Sequence, residues 1–322
     1  MTDLTGRVAV VSGAGRGIGR AHALHLARLG AAVVVNDIGV GVNGAETAEN
    51  PASDVVAEIS RAGGRATAST DSVATADGGG AIVDLALREY GRLDIVIHNA
   101  GIIGAGPVAT QPWEDIEAVM AVHLHGAYHL IRAAWPTMAA ANFGRIVLTS
   151  SGAIFGHPLA HAYAAAKAGI IGLTKSLALE AEAAGIDIKI NALAPIGATR
   201  MARDEQKSRW GELMDPDAVS AVAAYLASPQ CRVSGEAFHG GGGHVSRIVL
   251  GIGRGWAKGE PGITAGDIAT HLTEVMDLRG LAIPKTTNEM TDFLYQVATG
   301  RSATLSGAEI IPTEARGAKA ES

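Results

Sequence analysis

Runs made only of small or branched apolar residues recur along the first 240 residues, and each is followed by a longer stretch with helical spacing. Val8–Val11, Ala32–Val35 and Ile95–Ile97 contain no polar residue. A strand that is apolar on both faces must be covered on both faces, as in a parallel sheet held between two helix layers. Parallel neighbours need a crossover of roughly a dozen residues or more, and the intervening helical stretches supply it. The spacing predicts strands over 8–11, 32–37, 66–70, 93–98, 145–149 and 186–191. It predicts helices running to about 29 and over 51–62, 80–90, 113–141 and 161–184. Strand and helix alternating in this way give right-handed crossovers and an α/β fold, a Rossmann-type doubly wound parallel sheet. From about 245 the pattern changes: 248–250 reads as a further strand, and 264–277 and 288–297 as helical. The expected organisation is a single domain over 1–244, a C-terminal extension over 245–313 packed on it, and a disordered tail over 314–322.

The chain of 322 residues is 48% hydrophobic, enough to bury one large core. Its net charge of −6 and lack of a basic tract argue against nucleic acid as a partner, because that binding rests on neutralising phosphates. The single cysteine, Cys231, leaves no internal disulfide or cysteine metal cluster and points to a reducing compartment. No apolar run approaches the ~18 residues of a membrane span. The first residues lack the pattern of a secretory leader, and the final Ala320-Glu321-Ser322 is not a peroxisomal address. A cytoplasmic protein is expected, with neither a membrane nor a metal among its partners.

Between the first strand and its helix lies Ser12-Gly13-Ala14-Gly15-Arg16-Gly17-Ile18-Gly19. Glycines here let the backbone approach a pyrophosphate, and the helix N-terminus offers free N–H groups and a positive dipole end. Asp37 closes the second strand, 18 residues after Gly19. A carboxylate there accepts from the ribose 2′ and 3′ hydroxyls and repels a 2′-phosphate, so NAD is expected over NADP. Arg16 offers a phosphate some compensation. Asp71, after the third strand, is a candidate contact for the adenine amino group, or else a capping residue.

The run from Ser150 to Lys167 carries the chemistry. Tyr163 and Lys167 are four apart and share one helix face. An ammonium beside a phenol favours the phenolate and lowers its pKa from about 10. Such a tyrosine can exchange a proton with an alcohol or carbonyl oxygen, and Ser150 upstream can hold that oxygen.

Taken together, Gly13-x-x-x-Gly17-Ile18-Gly19, His98-Asn99-Ala100-Gly101, Ser150 thirteen residues before Tyr163, Tyr163-x-x-x-Lys167 and Asn191-Ala192-Leu193-Ala194-Pro195 resemble the short-chain dehydrogenase/reductase family over residues 6 to about 243. Val33–Gly39, Val122-His123-Leu124-His125-Gly126 and Arg132–Pro136 are more closely similar to the (3R)-hydroxyacyl-CoA dehydrogenase units of peroxisomal multifunctional enzymes type 2. The resemblance implies an oxidoreductase that interconverts a secondary alcohol and a ketone. A (3R)-hydroxyacyl-CoA is the leading substrate class; a hydroxysteroid, another secondary alcohol, or a 3-ketoacyl group reduced in the opposite direction are the alternatives. A non-catalytic dinucleotide sensor on the same fold would show a broken Ser/Tyr/Lys set, and all three residues are present.

The resemblance also implies roles. Tyr163 is the general acid/base, and Lys167 lowers its pKa and holds the nicotinamide ribose. Ser150 positions the substrate oxygen, the thirteen-residue spacing selecting it over Ser151. Asn99, Ala100 and Gly101 line the cofactor ribose, and Pro195 to Thr199 face the nicotinamide, with Ile196 where the family commonly has glycine. The family's fourth catalytic residue is an asparagine that anchors a relay water; His123 stands there, and a neutral imidazole can also donate and accept. The family pairs the helices equivalent to 113–141 and 161–184, which implies a homodimer or homotetramer.

The remaining histidines read as packing or surface residues (His22, His25, His129), or as a residue that faces either the substrate mouth or solvent (His161). His239 and His244 flank four glycines without a carboxylate pattern for a metal. Met201, Trp210 and Met214 fall in the segment that the family uses as a substrate lid. It is short here, which suits an open mouth and a bulky or carrier-linked substrate.

Overall fold

In a computed structural model of the chain, residues 2–41, 43–45, 50–199, 208–300 and 309–310 are described. The apolar runs form strands β1 (Val8–Ser12), β2 (Ala32–Asn36), β3 (Arg65–Ser69), β4 (Ile95–His98), β5 (Gly144–Thr149) and β6 (Ile188–Ile196). Two more follow, β7 (Ala237–Gly241) and β8 (His244–Ile248). They make one sheet in the order β3-β2-β1-β4-β5-β6-β7-β8. Neighbours through β7 are parallel, and β8 folds back antiparallel on β7. The strand order reverses between β1 and β4, where a doubly wound sheet opens a crevice at its carboxyl edge.

The strands' alternation explains why the sheet needs two covers. Along β1, Val8 and Val10 join one core while Ala9 and Val11 join the other; β2 divides the same way, Ala32 and Val34 against Val33 and Val35. The first core is closed by helices α3 (Ala76–Tyr90), α5 (Gly126–Ala140) and α6 (His161–Ala183), through residues such as Ile82, Leu130 and Ile170. The second is closed by α1 (Gly17–Arg28), α2 (Pro51–Arg61) and the helix Pro216–Leu226, through Leu26, Ile59 and Leu226.

Three elements depart from the sequence expectation. β6 runs on past Asn191 through Ile196, pairing with the unforeseen β7. The stretch read as one helix over 113–141 is α4 (Trp113–Met120), a π-turn (Ala121–His125) and α5. A π-turn adds a residue without changing the side-chain types, so apolar spacing cannot register it. The further strand expected at 248–250 is β8, four residues earlier, because it pairs with β7 across the turn Gly242–Gly243.

At the amino edge of the sheet, Asp94 is buried and accepts from the Val8 N–H at 3.0 Å, Arg7 at 2.8 Å and Arg92 at 2.6 and 2.8 Å. This locks β1 to the start of β4. Asp94→Ala is expected to cost about 2–4 kcal/mol, the arginines' partial exposure keeping it below a fully buried pair. A denaturant midpoint unchanged within error would contradict that.

The chain divides into two compact units, Met1–Ile248 and Val249–Ser322, so the main unit takes in the β8 hairpin beyond the expected boundary at 244. The second unit contains the helices Ala265–Thr270, Leu272–Val275 and Thr287–Ala298 and a short antiparallel pair, Ala282–Ile283 with Glu309–Ile310. Thr264 and Asp267 form a capping box at its first helix. The tail expected over 314–322 lies outside the described residues. Among the described residues no helix is long and apolar enough to cross a membrane.

Candidate active site

The carboxyl ends of β1, β2, β4, β5 and β6 open onto one cleft of about 730 Å³. Its floor near α1 is the glycine loop. Gly13 has φ +62°, and a Cβ on it would stand 2.6 Å from Ala100 Cα. A Cβ on Gly19 would stand 2.0 Å from the Gly13 carbonyl oxygen. No side chain fits at either place. Asn99 Nδ2 donates to that carbonyl at 3.1 Å and pins the loop to β4. The first turn of α1 carries no side-chain cap, and its Gly17 and Ile18 line the cleft. This cradle fits the pyrophosphate of a dinucleotide. Asp37 stands beside it, accepting from Gly15 N–H at 2.9 Å and Gly39 N–H at 2.8 Å.

Gly13, Arg16, Gly17, Ile18, Asp37, Asn99, Ala100, Gly101, Pro195, Ile196 and Thr199 all line this cleft, as do His123, Ser150, Tyr163 and Lys167. Gly19 lies behind the loop. Asp71 is not in the lining: Ser69's hydroxyl donates to its carboxylate at 2.9 Å, and Asn36 Nδ2 holds its carbonyl at 2.8 Å. Its neighbours Ser72 and Val73 do line the cleft. Nothing in their residue types marked them beforehand.

Lys167 is buried, and its Nζ donates to the Thr149 carbonyl at 2.5 Å. Burial pushes its ammonium down to about 7. The same exclusion of water raises the Tyr163 phenol above its ordinary value, and a hydrogen bond with Ser151 opposes the rise. Desolvation disfavours both charges at once, and the Lys167 Nζ lies 5.7 Å from the centroid of the Tyr163 ring.

The two serines at the end of β5 make different hydrogen bonds. Ser150 is 1% exposed, and its hydroxyl donates to the Lys167 backbone carbonyl at 2.9 Å. That proton is spent on bracing β5 against α6. Ser151 has extended backbone, accepts from Ala153 N–H at 3.2 Å, and meets the Tyr163 phenol. Both serines line the cleft, Ser150 with its hydroxyl turned to the Lys167 carbonyl and Ser151 on the side of the phenol.

His123 sits in the π-turn with its ring edge on Tyr163, centroids 5.0 Å apart at 88°. Its Nε2 meets the Ile102 carbonyl at 2.8 Å and the Ile102 N–H at 3.1 Å, while its Nδ1 is buried without a hydrogen-bond partner. Burial, then the Lys167 charge, holds its pKa well below the ordinary histidine value, so the ring is neutral. Gly101 leaves room for it: a Cβ there would be 2.4 Å from the ring.

Around the mouth, Trp210 and Met214 line the cleft, and Trp210 packs on the β7–β8 turn at Gly242. Met201 lies outside the described residues. Between Ser151 and Tyr163, Leu159 holds a left-handed φ of +66°, its carbonyl accepting from Gly106 N–H at 2.8 Å. His161 has a buried Nε2 without a partner. His22 bonds to Ser220 at 2.9 Å, and His129 to the Val73 carbonyl at 2.8 Å. His239 and His244 stack on each other across β7 and β8.

The short chain dehydrogenase family profile matches residues 7–210. The chain is 43% identical over 284 residues to the short-chain type dehydrogenase/reductase Rv0148 of Mycobacterium tuberculosis, covering 88% of this chain and 98% of that one. It is 40% identical over 256 residues to the hydroxyacyl-CoA dehydrogenase ChsB1 of the same organism, covering 74% and 78%. The structure of full-length peroxisomal multifunctional enzyme type 2 from Drosophila melanogaster superposes with a TM-score of 0.75 at 28% identity, over 92% of this chain and 50% of that one.

Proposed function

The chain belongs to the short-chain dehydrogenase family, and from that premise we propose that it is an NAD-dependent enzyme interconverting a secondary alcohol and a ketone on a (3R)-hydroxyacyl-CoA-type substrate. The observation that carries this reading is the convergence of Asp37, the glycine cradle, Ser151, Tyr163 and Lys167 on one cleft. When bound, the dinucleotide supplies or takes up the hydride at its nicotinamide. Tyr163 gives a proton to the ketone oxygen, or takes one from the alcohol. Ser151, whose oxygen already accepts from Ala153, has its one proton to donate to that substrate oxygen. Lys167 spends one N–H on Thr149 and has two left for the cofactor ribose and the phenolate's charge. The unpartnered Nδ1 of His123 is the ring atom open to a water-borne proton path from Lys167.

Three observations support the substrate class: the name of ChsB1, the likeness to the multifunctional enzyme, and a mouth lined by Ile102, Val122, Trp210 and Met214. Exposed Tyr128 on α5 and Leu179 on α6 suit a homo-oligomer joined through these helices.

Initial rates with NAD and NADP against hydroxyacyl-CoA, steroid and simple alcohol panels test the reading. NAD is expected to exceed NADP in kcat/KM by on the order of 100-fold, since a 2′-phosphate would meet the Asp37 carboxylate. Asp37→Ala is expected to narrow that ratio at least tenfold. Equal use of both cofactors by the unaltered enzyme, or turnover of steroids but of no acyl-CoA, would overturn it.

A further inference from the structure

His98 ends β4, and its ring is fully buried between β1 and the π-turn. Its Nδ1 lies 3.0 Å from Ser12 Oγ, and its Nε2 lies 3.1 Å from the His123 carbonyl. Counting protons fixes the direction of each bond. Ser12 Oγ already accepts from Asn99 N–H at 3.1 Å and Ala100 N–H at 3.2 Å. A hydroxyl has two lone pairs and one proton, so Ser12 must donate to His98 Nδ1. Nδ1 is then unprotonated, and the proton of the neutral ring is on Nε2, pointing at the His123 carbonyl.

That carbonyl belongs to the turn whose hydrogen-bond ladder is disturbed. A π-turn leaves the ladder one partner short, and such turns persist where something outside the helix holds them. The turn decides where His123 points. Reverting to α-geometry removes the extra residue and rotates the positions beyond it by about 100°. Space confirms the fit: a Cβ on Gly126, the first residue after the turn, would come within 3.1 Å of the His98 ring and of Val73.

We propose that His98 is a positioning residue: by donating from Nε2 to the His123 carbonyl, with its tautomer set by Ser12, it holds the π-turn open and so places the His123 ring between Ile102 and Tyr163. The chain of bonds ties the end of β1, where the cofactor loop begins, to the turn that serves the proton path. This rests on the catalytic reading above for its kinetic consequence, but its structural half does not.

Two experiments on the full chain separate the halves. Nitrogen-15 NMR of histidine-labelled protein is expected to show one neutral ring locked as the Nε2–H tautomer between pH 5 and 9, its signal absent from His98→Leu. A ring that titrates in that range, or an Nδ1–H tautomer, overturns the proposal whether or not a substrate is known. For kinetics, His98→Leu is expected to lower kcat at least tenfold with KM for NAD within about threefold. His98→Gln, which keeps an N–H donor at the same reach, is expected to recover most of the loss. In a His123→Ala background, His98→Leu is expected to have no further effect on kcat. Additive losses in the double variant, or equal damage by leucine and glutamine with equal loss of thermal stability, would show a merely structural role and overturn the proposal. If the unaltered enzyme turns over no alcohol, the catalytic reading fails while the NMR outcome still decides the tautomer.

Discussion

Tyr163→Phe is expected to lower kcat by about 10³-fold while NADH binding, followed by fluorescence, stays within about threefold. Removing the phenol oxygen removes the group proposed to exchange a proton with the substrate oxygen, and positioned acid/base groups contribute about 10²–10⁴-fold. The ring and its packing on His123 survive the change. The pH dependence has a definite sign. Burial raises the phenol above its ordinary value and presses the Lys167 ammonium down to about 7. The phenolate is the base for oxidation and the phenol is the acid for reduction. Alcohol oxidation should therefore rise with pH, and ketone reduction should fall over the same range. Near-wild-type turnover by Tyr163→Phe, or oxidation that falls as pH rises from 7 to 9, would remove Tyr163 from its role.

Ser151→Ala is expected to reduce kcat by about 10²-fold, the scale of losing one donor to a developing oxyanion. Ser150→Ala is expected to leave kcat within about threefold. It should instead lower stability by about 1 kcal/mol, because it breaks one buried hydrogen bond to the Lys167 carbonyl. The contrast is sharp because the two residues are chemically identical neighbours. Measuring kcat and the denaturation midpoint on both variants decides it. A larger kinetic loss from Ser150→Ala than from Ser151→Ala would reinstate the spacing argument and refute the geometric one.

Much of the fold could be read from local pattern. β1, β2 and β4 are continuous apolar runs, and the bounds of these three strands lie within two residues of expectation. The glycine loop was legible because only glycine tolerates a backbone as close as Gly19 is to Gly13. Asp37 was legible from its distance along a strand–turn–helix unit, and Tyr163 and Lys167 from helical spacing. Less could be read where the outcome depended on partners distant in sequence. β7 and β8 carry weak patterns of their own and become strands by pairing with β6 and with each other. Asp71 had the chemistry for an adenine contact, but it lies outside the cleft lining, its carboxylate bonded by Ser69 and its backbone carbonyl by Asn36.

The sequence by itself determined that this chain would form a covered parallel sheet with a dinucleotide loop, and that Tyr163 and Lys167 would share a helix face. These follow from periodicities of two and 3.6 residues that each segment carries alone. Only the tertiary structure decided how each of two adjacent serines is bonded, and where the helix over 113–141 widens to seat His123. In extended chain, neighbouring side chains point to opposite sides. Ser150 therefore turned toward the α6 backbone and Ser151 toward the phenol, a parity set by the packing of β5 on α6 that no count of residues to Tyr163 contains.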